Sequence, residues 1–178
     1  WQAGEFVYDI TPAVFESEEE LDAGFVYNGF CGNNLSKYLV KETLKDGKIL
    51  VFLKPCDTYS FNQLLTEHRI DREKVYVIGI PCEGKTSGEM LKAKGISGIT
   101  EDADNFVVDT IYGQTTVAKA DALEERCKTC KSKKHVAYDE LLGEDGEILD
   151  SHRFDMVAKL EAMTPDERFA FWREQLSK

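Results

Sequence analysis

The sequence predicts an α/β domain: a mainly parallel sheet with helices on both faces, followed by a C-terminal helical appendage. Three observations carry this. Two short apolar runs, Lys48–Leu53 and Val75–Ile80, are rich in Val and Ile and bounded by Gly and Pro, as buried strands are. A helical pattern, Thr58–Ile70, lies between them with Phe61, Leu64, Leu65 and His68 on one face. Strand, helix, strand is a βαβ unit, so the two strands are expected to run parallel. Near the end, Thr164-Pro165-Asp166-Glu167 is a strong helix start, with Thr as cap, Pro in the first turn and Glu reaching back.

The remaining elements follow in order. Glu5–Ile10 alternates like a strand, and the acidic run Glu16–Glu20 reads as a solvated loop or helix start. A short apolar strand from Phe25 runs into Gly29 and Gly32, after which Asn33 or Asn34 caps a helix carrying Leu35, Tyr38 and Leu39. A glycine turn that opens a helix is an anion site, because free N–H groups and the helix dipole point the same way. It is equally the mark of a plain tight turn. Gly47 ends this helix, and Asp57 is placed to cap the next one. Thr86-Ser87-Gly88-Glu89 has capping-box spacing, which predicts a short helix ending at Gly95. Ile96–Thr100 and Asn105–Tyr112 are strand candidates, and Asp121–Cys127 a helix. Ser151–Met163 and a last helix close the chain, with Phe169, Trp172 and Leu176 as a packing stripe.

At 178 residues the chain is one domain with an appendage, divided here as 1–145 and 146–178. A net charge of −11 argues against nucleic acid as the main partner. No apolar stretch reaches the length of a membrane span and no signal peptide opens the chain, so a cytoplasmic protein is expected. Trp1 in place of an initiator Met marks a trimmed segment.

The five cysteines carry the chemistry. An odd count in a chain this long and well patterned favours metal or redox use over a disulfide framework. Cys56 and Cys82 each follow a proline directly after an expected strand, on the sheet edge where open α/β folds bind ligands. At a helix N-terminus Cys56 is expected to favour its thiolate form. Cys127 and Cys130 supply a C-x2-C pair, so Cys56, Cys82, Cys127 and Cys130 are the candidate metal ligands. Cys31 is expected to be a packed small residue. Four thiolates suit tetrahedral zinc, an iron–sulfur cluster, or unligated redox chemistry. Only 127 and 130 are a close pair, which fits a cluster in a preformed domain better than a zinc staple. The four lysines of Lys128–Lys134 are a solvated loop, or else offset the charge of a thiolate centre. His68, His135 and His152 show no ligand spacing.

The order of these motifs resembles the C-terminal domain of the coenzyme F-420 hydrogenase/dehydrogenase beta-subunit family, which includes formate dehydrogenase beta subunits. The match runs over residues 25–145: the glycine turn, Lys54-Pro55-Cys56-Asp57, Gly79-Ile80-Pro81-Cys82-Glu83-Gly84, Cys127-Lys128-Thr129-Cys130 and Tyr138-Asp139. The resemblance implies an iron–sulfur flavoprotein of anaerobic cytoplasmic metabolism. Such a domain passes electrons between a flavin or deazaflavin and a partner redox subunit of hydrogenase, formate dehydrogenase or heterodisulfide reductase type. It implies a 4Fe-4S cluster on Cys56, Cys82, Cys127 and Cys130, and FAD near Gly29, Gly32, Asn33 and Asn34. It also implies a ferredoxin-like module outside this chain. The contrasting expectation, from the cysteines alone, is a zinc-stabilised α/β interaction module without catalysis.

Overall fold

In the computed structural model, residues 1–6, 8–89, 91, 94–147 and 154–177 are described. The chain opens with β1 (Gln2–Ala3), β2 (Ile10–Thr11), α1 (Glu18–Gly24) and α2 (Leu39–Glu42). The βαβ unit follows as β3 (Ile49–Leu53), α3 (Pro55–Thr66) and β4 (Val75–Gly79). Then come β5 (Ile96–Asp102), β6 (Asn105–Thr110), β7 (Gly113–Ala118), α4 (Lys119–Ala122) and α5 (Glu125–Lys128). The last elements are β8 (Glu140–Leu141), α6 (Asp155–Ala162) and α7 (Pro165–Leu176).

The expected parallel pair is present: β3 and β4 run side by side with Leu53 opposite Gly79, and β8 joins β4 in parallel to make a three-stranded sheet. Val51, Leu53, Val75 and Val77 turn toward α3, whose Phe61 is fully buried among them. Truncating such a phenyl ring to Ala costs about 3–5 kcal/mol. Helix α3 starts where Pro55 presets the backbone and leaves Lys54 extended (φ −73°, ψ 160°). Asp57 stands inside the first turn, not at the cap, and its carboxylate accepts the Lys54 N–H at 3.4 Å. The helix stops at Thr66, and His68 adopts a left-handed φ of 54° beyond it, so the expected face loses that residue.

Three expectations are corrected. The sheet is not mainly parallel with helices on both faces. Its second face, Phe52 and Ile78, is covered by Trp1, Tyr27 and Leu35 rather than by a helix, and Leu50 and Tyr76 stay exposed. The candidate strands 96–100 and 105–112 form an antiparallel hairpin, extended by β7 into a separate sheet of order β5-β6-β7. The connections at 103–104 and 111–112 explain this: two-residue connections can only join antiparallel neighbours. Two-stranded β1-β2 is also antiparallel. Residues 81–89 contain no helix; Thr86 bridges Leu123 instead, and Met90, Lys92 and Ala93 lie outside the described residues.

Smaller differences concern the ends. Residues 25–27 form no strand, and of the expected strand Glu5–Ile10 only Ile10 pairs, with Val7 outside the described residues. The C-terminal capping box on Thr164 is present, but neither α6 nor α7 has a buried residue. Phe169, Trp172 and Leu176 are exposed rather than packed. Phe171 faces the neighbouring helix instead, with Lys159 Nζ 5.9 Å from its ring. The expected start of that region at Ser151, and His152, lie outside the described residues.

Gly79 has no room for a methyl group. A Cβ there would stand 2.9 Å from Leu141 Cδ1 and 3.0 Å from the His135 ring. The leucine can turn away, whereas the imidazole is hydrogen-bonded on both nitrogens. Gly79→Ala is therefore expected to destabilise the fold by about 1–3 kcal/mol in urea titrations.

Candidate functional site: the cysteine edge

Parallel pairing fixes the geometry of the site. Leu53 and Gly79 are register partners at the strand ends, and Ile80 N–H donates to the Leu53 carbonyl at 2.9 Å. Each Pro-Cys lies the same distance past its strand, so Cys56 and Cys82 leave the sheet side by side. Cys56 falls in the first turn of α3; Cys82 falls in an irregular segment.

That segment receives the other pair. Residues 85 and 86 act as a strap: Thr86 N–H donates to the Gly29 carbonyl at 2.7 Å, and Glu124 N–H donates to the Lys85 carbonyl at 2.8 Å. The strap holds Cys127, whose Sγ accepts the Lys85 N–H at 3.3 Å. Gly84, at φ +126°, permits this approach, since a Cβ would come within 3.2 Å of the Cys127 Cβ and 2.8 Å of Leu123. Cys130 Sγ accepts the Ser132 N–H at 3.3 Å. The expected single helix into this pair is two short pieces, α4 and α5, broken at Leu123 and Glu124.

The thiols are electrostatic neighbours. Ionised Cys82 and Cys130 each disfavour the thiolate of Cys56, and Cys127 does the same to Cys82. Among the described residues, no three His, Cys, Asp or Glu side chains are gathered tightly enough to hold one metal ion. Burial pushes the Cys56 thiol up to about 12, with the Asp57 carboxylate adding to the rise and Lys54 opposing it. The residue as a whole is exposed, yet the protein around it withholds water from the sulfur, and this outweighs the helix terminus. Burial also raises Cys82, against the pull of the Gly84 N–H, Lys54 and Lys133.

Lys54 is the nearest fixed cation. Its side chain is buried, with Nζ on the Asn33 carbonyl at 2.9 Å and on Asp57 Oδ2 at 3.3 Å. Asp57 Oδ1 in turn lies 3.7 Å from Cys56 Sγ. Among the loop lysines, Lys133 Nζ donates to the Cys82 and Glu83 carbonyls, both at 3.3 Å. Cys31 is packed in the core beside Trp1 and Ile80, its sulfur accepting the Asn28 N–H at 3.3 Å.

The glycine turn differs from its expected form. It opens one 3-10 turn, Ser36–Tyr38, and the four-residue α2, not a long helix. Asn34 stabilises that turn by accepting from Ser36 N–H at 3.0 Å and donating to Ser60 Oγ at 2.7 Å. The space beside Gly32 holds the Lys85 stem, 2.3 Å from where a Cβ would sit. Gly29 instead borders a cleft of about 330 Å³ between Tyr27, the segment after β4 and the β5-β6-β7 sheet, with Phe106, Glu101 and Lys119 on its far wall. Neither this cleft nor Lys85, Lys54 or His135 as partners of the site is legible in the residue pattern. Their roles come from contacts 21 to 82 residues apart in the chain.

The raised Cys56 thiol has a consequence for the metal-free protein. Unfolded, a cysteine ionises near about 8.5; folded, Cys56 keeps its proton up to about 12. Above the unfolded value the unfolded chain binds fewer protons, so this contribution is intact below about pH 8.5 and is lost as pH rises toward 12. Urea midpoints measured across that range are expected to fall, and to fall less steeply in Cys56→Ser.

No family model matches the chain. The F420-dependent formate dehydrogenase 1 subunit beta of Methanococcus maripaludis is 30% identical over 146 residues, covering 71% of this chain and 37% of that protein. The F420-dependent formate dehydrogenase subunit beta of Methanocaldococcus jannaschii is 28% identical over 147 residues, covering 72% of this chain and 38% of that protein. The chain thus spans well under half the length of these relatives. Among solved structures, a chain of the xenon-derivatized F420-reducing [NiFe] hydrogenase complex from Methanosarcina barkeri aligns at 18% identity with a TM-score of 0.40, covering 71% of this chain and 53% of that one. That likeness is too loose to fix the fold. No helix among the described residues is long and apolar enough to cross a membrane. By its sequence relatives, this chain is a homologue of F420-dependent formate dehydrogenase beta subunits, the family its cysteine and glycine motifs resemble.

Proposed function

We propose that this chain is part of an oxidoreductase subunit. It moves electrons through a 4Fe-4S cluster held by Cys56, Cys82, Cys127 and Cys130, between a flavin or deazaflavin carrier and a partner redox subunit. One observation carries the reading: two Pro-Cys thiols at the carboxyl edge of a parallel pair, each under the charge of one thiol of the C-x2-C pair. The names of the relatives support a redox role and the deazaflavin.

The residues present fit a cluster better than a single ion. A tetrahedral ion with sulfurs about 2.3 Å away needs them about 3.8 Å from one another. A cubane of four irons spreads its ligands wider, which suits four cysteines of which only Cys127 and Cys130 are close in sequence. Zinc therefore stands as the replacement metal for protein made in air. When bound, the cluster supplies one-electron transfer. The Lys85 and Ser132 amides donate to Cys127 and Cys130 sulfur, which favours the reduced, more negative state. Lys54 and Lys133 offset the charge of the thiolates. Flavin, in this reading, lies against Gly29 in the cleft, with Tyr27 and Phe106 as the aromatic walls; Gly32, Asn33 and Asn34 support the turn beside it through Lys85, Lys54 and Ser60.

Iron and sulfide analysis after anaerobic purification tests the cluster. Each of Cys56→Ser, Cys82→Ser, Cys127→Ser and Cys130→Ser is expected to lower iron to half or less of the parent, while Cys31→Ser leaves it unchanged. Equal iron in all five, or zinc alone in anaerobic protein, overturns the reading. The flavin site is tested separately with Glu101→Trp, which fills the cleft from the β5 side away from the cysteines. Flavin content is expected to fall while iron stays constant; unchanged flavin removes the cleft from the proposal.

A further inference from the structure

His135 lies five residues beyond Cys130 and is sealed from solvent, with a side-chain exposure of 0%. Both ring nitrogens meet acceptors. Nε2 is 3.0 Å from the Leu53 carbonyl, and Nδ1 is 2.5 Å from Asp145 Oδ1. A carbonyl oxygen has no proton to give, so Nε2 must carry one. Asp145 also accepts the His135 backbone N–H, at 3.1 Å to Oδ2, and its side chain keeps 23% exposure. One proton lies between Nδ1 and Asp145 Oδ1, so the ring is held at both ends.

The position of this ring matters more than its charge. One of its two partners is the last carbonyl of β3, directly before Lys54-Pro55-Cys56. Its edge rests on Gly79, the last residue of β4, where only a glycine leaves space. The Val136 N–H beside it donates to Thr58 Oγ1 in α3 at 3.1 Å, and Gly146 N–H donates to the Lys133 carbonyl at 3.2 Å. Tyr138 closes the remaining side, ring to ring at 6.0 Å.

We propose that His135 is a positioning residue for the four-cysteine site: a buried imidazole, bonded on both nitrogens, that pins the arm carrying Cys127 and Cys130 to the strand ends from which Cys56 and Cys82 emerge. The site it serves rests on the reading above; the clamp itself rests only on the contacts of the ring. Two hydrogen bonds on one flat, buried ring hold its partners in one orientation.

The test uses the whole chain, metal-free and anaerobically loaded. Ring nitrogen NMR of selectively labelled histidine in the metal-free protein is expected to show a proton on Nε2 of His135 and a hydrogen-bonded Nδ1. In Asp145→Asn, which keeps the shape and the Leu53 bond, the Nδ1 signal is expected to shift while that of Nε2 holds. Hydrogen exchange at His135, Val136 and Gly146 is expected to rise about tenfold or more in Asp145→Asn and in His135→Asn, while the β3–β4 amides hold their rates. Iron retained by both variants is expected to fall. An Nε2 without a proton in the parent, or unchanged exchange in Asp145→Asn, overturns the clamp; should His135→Asn fail to fold, these two measurements still decide. Failure of the clamp leaves iron in the parent untouched. Failure of the cluster reading removes the iron but leaves the ring protons and the exchange pattern in place.

Discussion

The register of β3 against β4 is the constraint on which the rest depends. With Leu53 opposite Gly79, two equally spaced Pro-Cys turns leave the sheet together. A slip of one residue would turn every side chain of one strand to the opposite face. Val75 and Val77 would leave Phe61, and the two thiols would no longer issue from one place. The core under α3 and the cysteine edge are therefore specified by the same pairing.

This also explains which parts of the fold were legible. Apolar runs and Pro-Cys endings are local signals, and they located β3, β4 and α3 and the edge from which Cys56 and Cys82 emerge. The antiparallel sheet was half visible: the runs at 96–100 and 105–112 were recognised, but Gly113–Ala118, with Gln114, Thr115 and Thr116 exposed, has too little apolar character to declare a strand. β8 is shorter still, and the Asp139 carboxylate on the Val77 N–H does much of its docking. Thr86 offered capping chemistry and used its backbone for a strap instead. Local propensity was real there, but contacts with Gly29 and Leu123 outweighed it.

The candidate site was legible in its donors and not in its surroundings. Four cysteines could be named because their residue type and motif order carry chemistry. The shell around them is made of ordinary residues put to use by distance in the chain: a lysine stem against Gly32, an amide on Cys127, a histidine across the ends of two strands. Burial also reversed one expectation from sequence. A cysteine in a first helical turn should ionise readily, yet the withdrawal of water from Cys56 dominates, as it does wherever a charge lacks a partner.

The insertion of β5, β6 and β7 between β4 and β8 has a consequence in time as well as in space. Cys56 and Cys82 come from a compact unit of low contact order, whereas Cys127 and Cys130 arrive only after a whole meander has closed. Loop closure over such a span is slow compared with forming a hairpin or a helix. Anything that uses all four sulfurs must therefore wait for the last pair, and until then exposed thiols are open to oxidation.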